Sequence, residues 1–294
     1  MILAMMLSTG SVAVLGTGCP APRDLQRSQT HVDLAKDLLG KGQDTAAESE
    51  LKKAIAFDAQ NEEAFLVYGL VYLIRAAHTE NLVERENCLG GDEADGLRKD
   101  SDEFMRTAAK HFEHATTLAP DYGEAWMDRA VVAMHFRDWE QAIELCRRAL
   151  ANAARLQSES LARTNLGWAL HQKKDTARAT TELLQAVQLT PNLCLAHFRL
   201  ARVFFDRDRF EEAAAELAPF QPTSISDADG VTGAVARPAC APVLEALYLG
   251  GQASLRNHDI QAAVPWFQQC IEAAPRSCVA KQCETALSEL GAGP

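Results

Sequence analysis

Residues 160–193 decide the fold, and they read SLARTNLGWALHQKKDTARATTELLQAVQLTPNL. Small residues recur there at Gly167, Ala179 and Ala186, and Pro191 closes the stretch. This spacing is typical of two antiparallel helices that approach each other closely at the small residues. Pro191 ends the second helix because it lacks the backbone N–H that a continuing helix would donate. The stretch therefore predicts one helical hairpin.

The same spacing recurs along the rest of the chain, with a period near 34 residues that predicts a repeat protein. The small residues match the eighth, twentieth and twenty-seventh places of the tetratricopeptide repeat (TPR). The sequence thus predicts an all-α TPR solenoid of about six helical hairpins with a C-terminal capping helix. The predicted repeats cover residues 28–61, 62–122, 123–156, 160–193, 194–221 and 244–277, and the cap covers 278–290.

Two segments break the period. Residues 78–102 interrupt the second hairpin and are rich in acids and glycine, so they predict a solvated loop. Residues 221–241 delay the sixth repeat and are rich in Pro, Ser, Asp and Gly, which also indicates a loop. Insertions in repeat proteins fall on one face and sometimes bind partners, although an exposed loop is the simpler interpretation of both.

The N-terminus is typical of an export signal. Residues 1–18 are uncharged and largely apolar, and they end in small residues before Cys19. The stretch 15–19 looks like a bacterial lipobox, which predicts that Cys19 is lipidated after cleavage and that residues 19–27 form a tether. Pro20 after the cysteine favours the periplasmic face of the outer membrane. The alternative is an ordinary cleaved signal with Cys19 incidental.

Composition and charge limit the classes of function that the sequence can support. The formal charge of −11 argues against nucleic acid as a main partner. The sequence contains no Gly-x-Ser-x-Gly, Walker loop or dinucleotide fingerprint, and its cysteines lack metal-site spacing. We therefore expect a monomeric binding protein that is not an enzyme and needs no cofactor or metal.

Eight cysteines are many for a reducing compartment and fit an oxidising one. Cys270 and Cys283 lie at nearly equal distances from the turn before the capping helix, so antiparallel helices can bring them together. Cys194 and Cys240 each precede a successive first helix of a repeat, which predicts a second disulfide.

Three further cysteines are harder to assign. Cys146 occupies a core place of the third repeat and is expected to be a buried free thiol. Cys88 and Cys278 have no evident partner in the sequence.

The inner curve of the solenoid is the predicted binding site. Stacked helical hairpins form an extended concave surface, and in TPR proteins the first helix of each repeat lines it through the second, fifth, ninth, twelfth and thirteenth places. The pattern predicts an apolar groove for a strand or an amphipathic helix of another protein. The alternative is that part of this stripe packs against the insertions or the next hairpin. The apolar residues at the lining places are Leu66, Leu70, Leu73, Met127, Val131, Met134, Leu161, Trp168, Leu195, Phe198, Phe205 and Tyr248.

The C-terminal third carries a family resemblance. The segments 194–201 (CLAHFRLA), 209–213 (RFEEA), 247–251 and 267–270, together with Cys240, resemble the PilF/PilW/Tgl group of type IV pilus lipoproteins, most of all its Tgl branch. The resemblance implies an outer-membrane TPR lipoprotein that acts as a pilotin. Such a protein binds secretin subunits, assists their assembly into a pore, and is attached to the membrane through its N-terminal lipid. A periplasmic adaptor for cell-wall enzymes or for outer-membrane protein assembly remains the alternative.

Overall fold

The computed structural model describes residues 23–221, 223–224, 235–236, 240–241 and 243–291. Thirteen α-helices account for most of these residues. The helices are α1 (Leu25–Gly40), α2 (Asp44–Phe57), α3 (Glu62–Asn81), α4 (Gly91–Leu118), α5 (Gly123–His135), α6 (Trp139–Ala151), α7 (Glu159–Gln172), α8 (Thr176–Leu189), α9 (Cys194–Phe205), α10 (Phe210–Leu217), α11 (Leu244–Arg256), α12 (Ile260–Ala273) and α13 (Cys278–Glu289).

Consecutive helices pack in pairs, from α1 with α2 to α11 with α12, and each pair packs against the next. The result is a solenoid of six hairpins, and α13 covers the last one by packing on α11 and α12. The predicted all-α TPR solenoid is confirmed.

Small residues at the eighth place hold the two helices of a hairpin close together. A Cβ on Gly69 would lie 2.3 Å from a ring carbon of Phe112, and one on Gly251 would lie 2.4 Å from a ring carbon of Phe267. The ring of the second helix therefore fills the space that a side chain on the first helix would need. Both phenylalanines are fully buried.

A left-handed residue makes the turn inside most hairpins. The fifteenth residue of five repeats has a positive φ, between 58° and 70°. A side chain in this conformation crowds the backbone, so only glycine adopts it without cost. The five residues are Gly42, Arg137, Lys174, Asp208 and His258.

The second hairpin departs from this turn. Its first helix, α3, continues to Asn81, a π-helical turn follows at Leu82–Glu86, and α4 begins at Gly91. The predicted solvated loop over residues 78–102 is therefore wrong, because most of that segment extends the two helices. The segment is mostly polar, but a few of its apolar side chains, such as Ala94, are buried. These side chains pack between the two extended helices.

Two further expectations concern the tether over residues 19–27 and the loop over residues 221–241. Residues 23–27 are not a free tether, since the Arg23 guanidinium pairs with Asp58 at 2.6 Å and α1 begins at Leu25. Within 221–241, Thr223–Ser224 pairs with Val235–Ala236 in a short antiparallel ladder. The predicted signal peptide, Cys19 and the start of the tether lie outside the described residues.

Replacing Gly42 with alanine tests the turn. Gly42 has φ +70° and open space around it, so the substitution adds backbone strain without a steric clash. We expect the free energy of unfolding to fall by about 1 kcal/mol. In the control, Gly40→Ala, the glycine is in helix α1 with equally open space, and we expect about 0.5 kcal/mol of stabilisation. Urea unfolding of both variants measures this, and shifts in the same direction would contradict the assignment.

Candidate partner-binding groove

Most of the predicted groove residues are partly accessible. Ten of the twelve are half-buried, and none of the ten is fully covered. Their side chains can therefore contact both their own hairpin and a bound molecule, and their role in binding stays a prediction. The ten are Leu70, Leu73, Val131, Met134, Leu161, Trp168, Leu195, Phe198, Phe205 and Tyr248.

Leu66 and Met127 are corrections to the predicted groove, because each is only 3% exposed. Leu66 belongs to the core that contains Phe112 and Ala125, and Met127 belongs to the next core, with Cys146. At these two places a neighbouring helix covers the side chain. Both residues stabilise the stack of hairpins and are not available to a partner.

The aromatic part of the groove lies on the fourth and fifth repeats. Trp168 of α7 is half-buried beside the Arg199 guanidinium, which lies 5.6 Å from its ring centroid. Phe205 of α9 packs edge-on against Phe210 at 5.2 Å between ring centroids. Phe198 packs against the core of the last repeats. The repeats themselves hold these three rings in place, and each ring is still partly exposed.

Arg199 is a charged residue that the sequence analysis missed. It donates hydrogen bonds to Asn165 Oδ1 at 2.7 Å and to the Thr164 carbonyl at 3.2 Å. No carboxylate among the described residues pairs with it. Burial lowers the pKa of Arg199 to about 10, so the guanidinium stays charged near neutral pH. The groove thus has a cation beside its largest aromatic ring.

The structure contains both predicted disulfides. Cys194 and Cys240 pair with their Cα atoms 5.6 Å apart, and Cys270 pairs with Cys283 across 6.5 Å. The first joins the fifth repeat to the start of the sixth, and the second joins α12 to the capping helix. Cys146 is a buried free thiol, and burial raises its pKa to about 12.

A third disulfide, which the sequence did not reveal, joins Cys88 to Cys278 with Cα atoms 4.6 Å apart. Cys88 is at the tip of the extended second hairpin, and Cys278 begins the capping helix. An ion pair at 3.4 Å between Arg85 and Glu245 accompanies it. The tip of the second hairpin therefore touches the last repeat, which requires that the solenoid curve back toward itself. The only signal in the sequence was that both cysteines lacked a partner.

His135 fixes the extended hairpin to the third repeat. Its Nδ1 lies 3.0 Å from Glu80 and its Nε2 lies 2.8 Å from Asp102, so the ring joins α3, α4 and α5. The hydrogen bond with Glu80 is the main reason that the pKa of His135 is raised, against the opposing effect of burial. The protonated ring donates to both carboxylates and holds the extension in place.

Within the described ranges, no group of three or more His, Cys, Asp or Glu side chains could hold a metal ion. None of the helices in that part of the chain has the length and apolar character needed to cross a membrane.

Comparisons with known proteins agree with this architecture. Models of the tetratricopeptide repeat match residues 103–156 and 161–193. No curated protein sequence matches the chain. By its fold, the protein is a tetratricopeptide-repeat solenoid.

Two solved structures resemble it over nearly their whole length. PilF of Pseudomonas aeruginosa is 15% identical, with a TM-score of 0.61, and the match covers 89% of this chain and 98% of PilF. PilW, described as a widely conserved type IV pilus biogenesis factor, is 17% identical with a TM-score of 0.59, and the match covers 87% of this chain and 98% of PilW. At such low identity the likeness shows a shared fold.

Replacing His135 with glutamine tests the histidine network through pH. Because the folded-state pKa is raised above the usual 6.5, the stability that protonation supplies is complete below that value and is lost as pH rises through the folded pKa. We expect the variant to be less stable than the wild type by about 1 to 2 kcal/mol near pH 6, and by less near pH 9.

Urea unfolding at the two pH values measures this difference. His78→Gln, at an exposed histidine on α3, is the control and should change stability little at either pH. An equal loss for His135→Gln at both pH values would contradict a charged network.

Proposed function

We propose that this protein is a pilotin of the PilF/PilW/Tgl group, an outer-membrane TPR lipoprotein that assists assembly of a type IV pilus secretin. In this proposal the inner groove holds a segment of a secretin subunit until the subunits multimerise. The half-buried aromatic side chains of Trp168, Phe198 and Phe205, at the predicted lining places, are the observation that carries the proposal.

The groove has the properties of a polypeptide-binding surface. Aromatic residues supply most of the binding energy at many interfaces, especially near the centre of the contact. Completing the burial of one such side chain contributes up to about 1.5 to 3 kcal/mol, and less here because each ring is already partly covered. Three of them on neighbouring helices could hold a short apolar segment reversibly, as an assembly factor must. The surface suits binding, and we propose no catalytic step.

The fold of the comparison structures supports the choice of partner. PilF and PilW match the chain from end to end rather than through a few repeats, and PilW takes part in type IV pilus biogenesis. Together with the sequence resemblance in the fifth and sixth repeats, this favours a role in pilus assembly over that of a general periplasmic adaptor.

The proposed anchor is a lipid on Cys19. Arg23 is already fixed to Asp58, so the folded domain begins four residues after that cysteine. A chain of this length spans at most about 14 Å, at roughly 3.5 Å per residue. The lipid would hold the first repeat close to the inner leaflet of the outer membrane, and the domain would then be near secretin subunits that approach the same membrane.

In-cell crosslinking tests the partner. A photoreactive amino acid at Trp168 or Phe198 should capture a secretin subunit, whereas the same group at Leu184, an exposed apolar residue on α8, should not. Deletion of the gene should abolish secretin multimers. The double variant Trp168→Ala with Phe198→Ala should reduce them at least several-fold, and Leu184→Ala should leave them unchanged. Normal multimers in the deletion strain would overturn the proposal, and capture of a cell-wall enzyme would favour the adaptor.

A further inference from the structure

The guanidinium of Arg199 has hydrogen-bond donors that no group in the described part of the chain uses. Both of its hydrogen bonds there leave from one nitrogen, Nη1, and they go to Asn165 Oδ1 at 2.7 Å and to the Thr164 carbonyl at 3.2 Å. Nη1 carries two N–H groups, so these bonds use both of them. The N–H groups of Nε and Nη2 remain, and together they form what we call the free edge of Arg199.

The free edge has accessible surface. Among the described side chains, the polar atoms that are fully covered and have no hydrogen-bond partner are Asp128 Oδ2 and His171 Nδ1. No atom of Arg199 is in that class, and the residue as a whole is half-buried. Nε and Nη2 therefore still contact solvent and can be reached by a bound molecule.

The free edge lies among the predicted lining residues of the groove. Arg199 follows Phe198 directly on α9 and comes one helical turn after Leu195. Its guanidinium carbon is 5.6 Å from the centroid of the Trp168 ring, which belongs to the neighbouring helix α7. A polypeptide that contacts these aromatic rings would therefore also meet the free edge.

The charged groups around Arg199 are paired with one another. Arg202 on the same helix pairs with Asp206 at 2.9 Å, and His197 pairs with Glu216 of α10 at 2.7 Å. Burial lowers the pKa of Arg199 to about 10, and no carboxylate opposes that effect. Covering a charge costs free energy unless a counter-charge pairs with it, so a ligand that covers Arg199 without supplying one would bind less well.

A carboxylate is the acceptor whose geometry fits the free edge. Its two oxygens can accept two parallel N–H groups from one guanidinium. Arg23 shows this geometry in the same protein, because its Nε and Nη2 donate to the two carboxylate oxygens of Asp58 at 2.6 and 2.9 Å. A backbone carbonyl or a side-chain amide offers only one oxygen. Among the side chains of a polypeptide, only aspartate and glutamate carry the matching group.

We propose that Arg199 binds an aspartate or glutamate side chain of the polypeptide that occupies the groove. The inference rests on the proposed function and names a residue that the partner segment must contain. Because the guanidinium lies beside Trp168, this acid is next to the apolar residue that contacts the ring. The partner segment is therefore apolar with one acid at that place.

Two acetylated and amidated leucine-rich peptides test the proposal, one with a central glutamate and one with a central glutamine. Glutamine has the same shape without the charge, and the blocked ends remove the terminal carboxylate as a possible ligand. We expect the glutamate peptide to bind about 10-fold more tightly in calorimetry, a difference of about 1.4 kcal/mol. The net charge of −11 on this chain favours the opposite order, so overall charge would not produce the result.

Matched variants assign the preference to the free edge. Arg199→Gln should abolish it while the glutamine peptide still binds, which also shows that the variant is folded. Arg199→Lys keeps the charge without two parallel N–H groups and should retain only part of the preference. Arg207→Gln removes an exposed charge from the turn after α9 and should leave the preference unchanged. Equal binding of both peptides by the wild type, or an unchanged preference in Arg199→Gln, would overturn the inference.

A probe without any peptide gives an independent test. The Nε–H signal of Arg199 is followed by NMR while sodium butyrate is added, with butyramide and sodium chloride as controls. We expect a saturable shift with butyrate alone, and absence of that shift would overturn the inference. The same signal should not change in the double variant Asp227→Asn with Asp229→Asn. A change there would assign the free edge to the chain's own acids and would also overturn it. None of these outcomes alters the crosslinking test of the secretin partner.

Discussion

Close contact between the two helices of each hairpin is the constraint on which the rest of this molecule depends. Where Gly69 and Gly251 face phenylalanine rings, the helices approach so closely that an added methyl group would overlap the ring. This contact sets the angle between the helices, and its repetition places the first helices side by side along the inner curve. The groove and the return of the second hairpin to the last repeat both follow from that arrangement.

The sequence predicted the repeated part of the fold well, because small residues mark the places where two helices touch and prolines mark the places where helices end. It failed at the second hairpin, where acids and glycines dominate the composition although a few buried side chains such as Ala94 are enough to organise two helices. It also placed Leu66 and Met127 in the groove. The repeat pattern gives a residue's direction around its own helix, but the neighbouring helix decides whether that side chain is covered.

The polar features of the candidate site were the least predictable. Asp128 and Arg199 are ordinary charged residues in the sequence, and such residues are usually solvated. Their importance comes from what surrounds them. Asp128 is buried with an unpartnered oxygen, and Arg199 pairs with an amide and a carbonyl in place of a carboxylate. Arg199 thus adds a charge without a carboxylate partner to an otherwise apolar groove, and that charge can favour one type of residue in a bound chain over another.

The bond between Cys88 and Cys278 has a consequence for how the chain acquires its covalent structure. If the chain is exported from its N-terminus, as proposed, Cys146 and Cys194 emerge after Cys88 and well before Cys278, so oxidation in order of emergence would join the wrong cysteines. Cys146 is fully buried once the third repeat has folded, so its thiol can then no longer pair with Cys88. In such an exported chain, correct pairing at Cys88 would depend on the middle repeats folding before the second hairpin is oxidised, and a disulfide isomerase would be needed whenever that order is reversed.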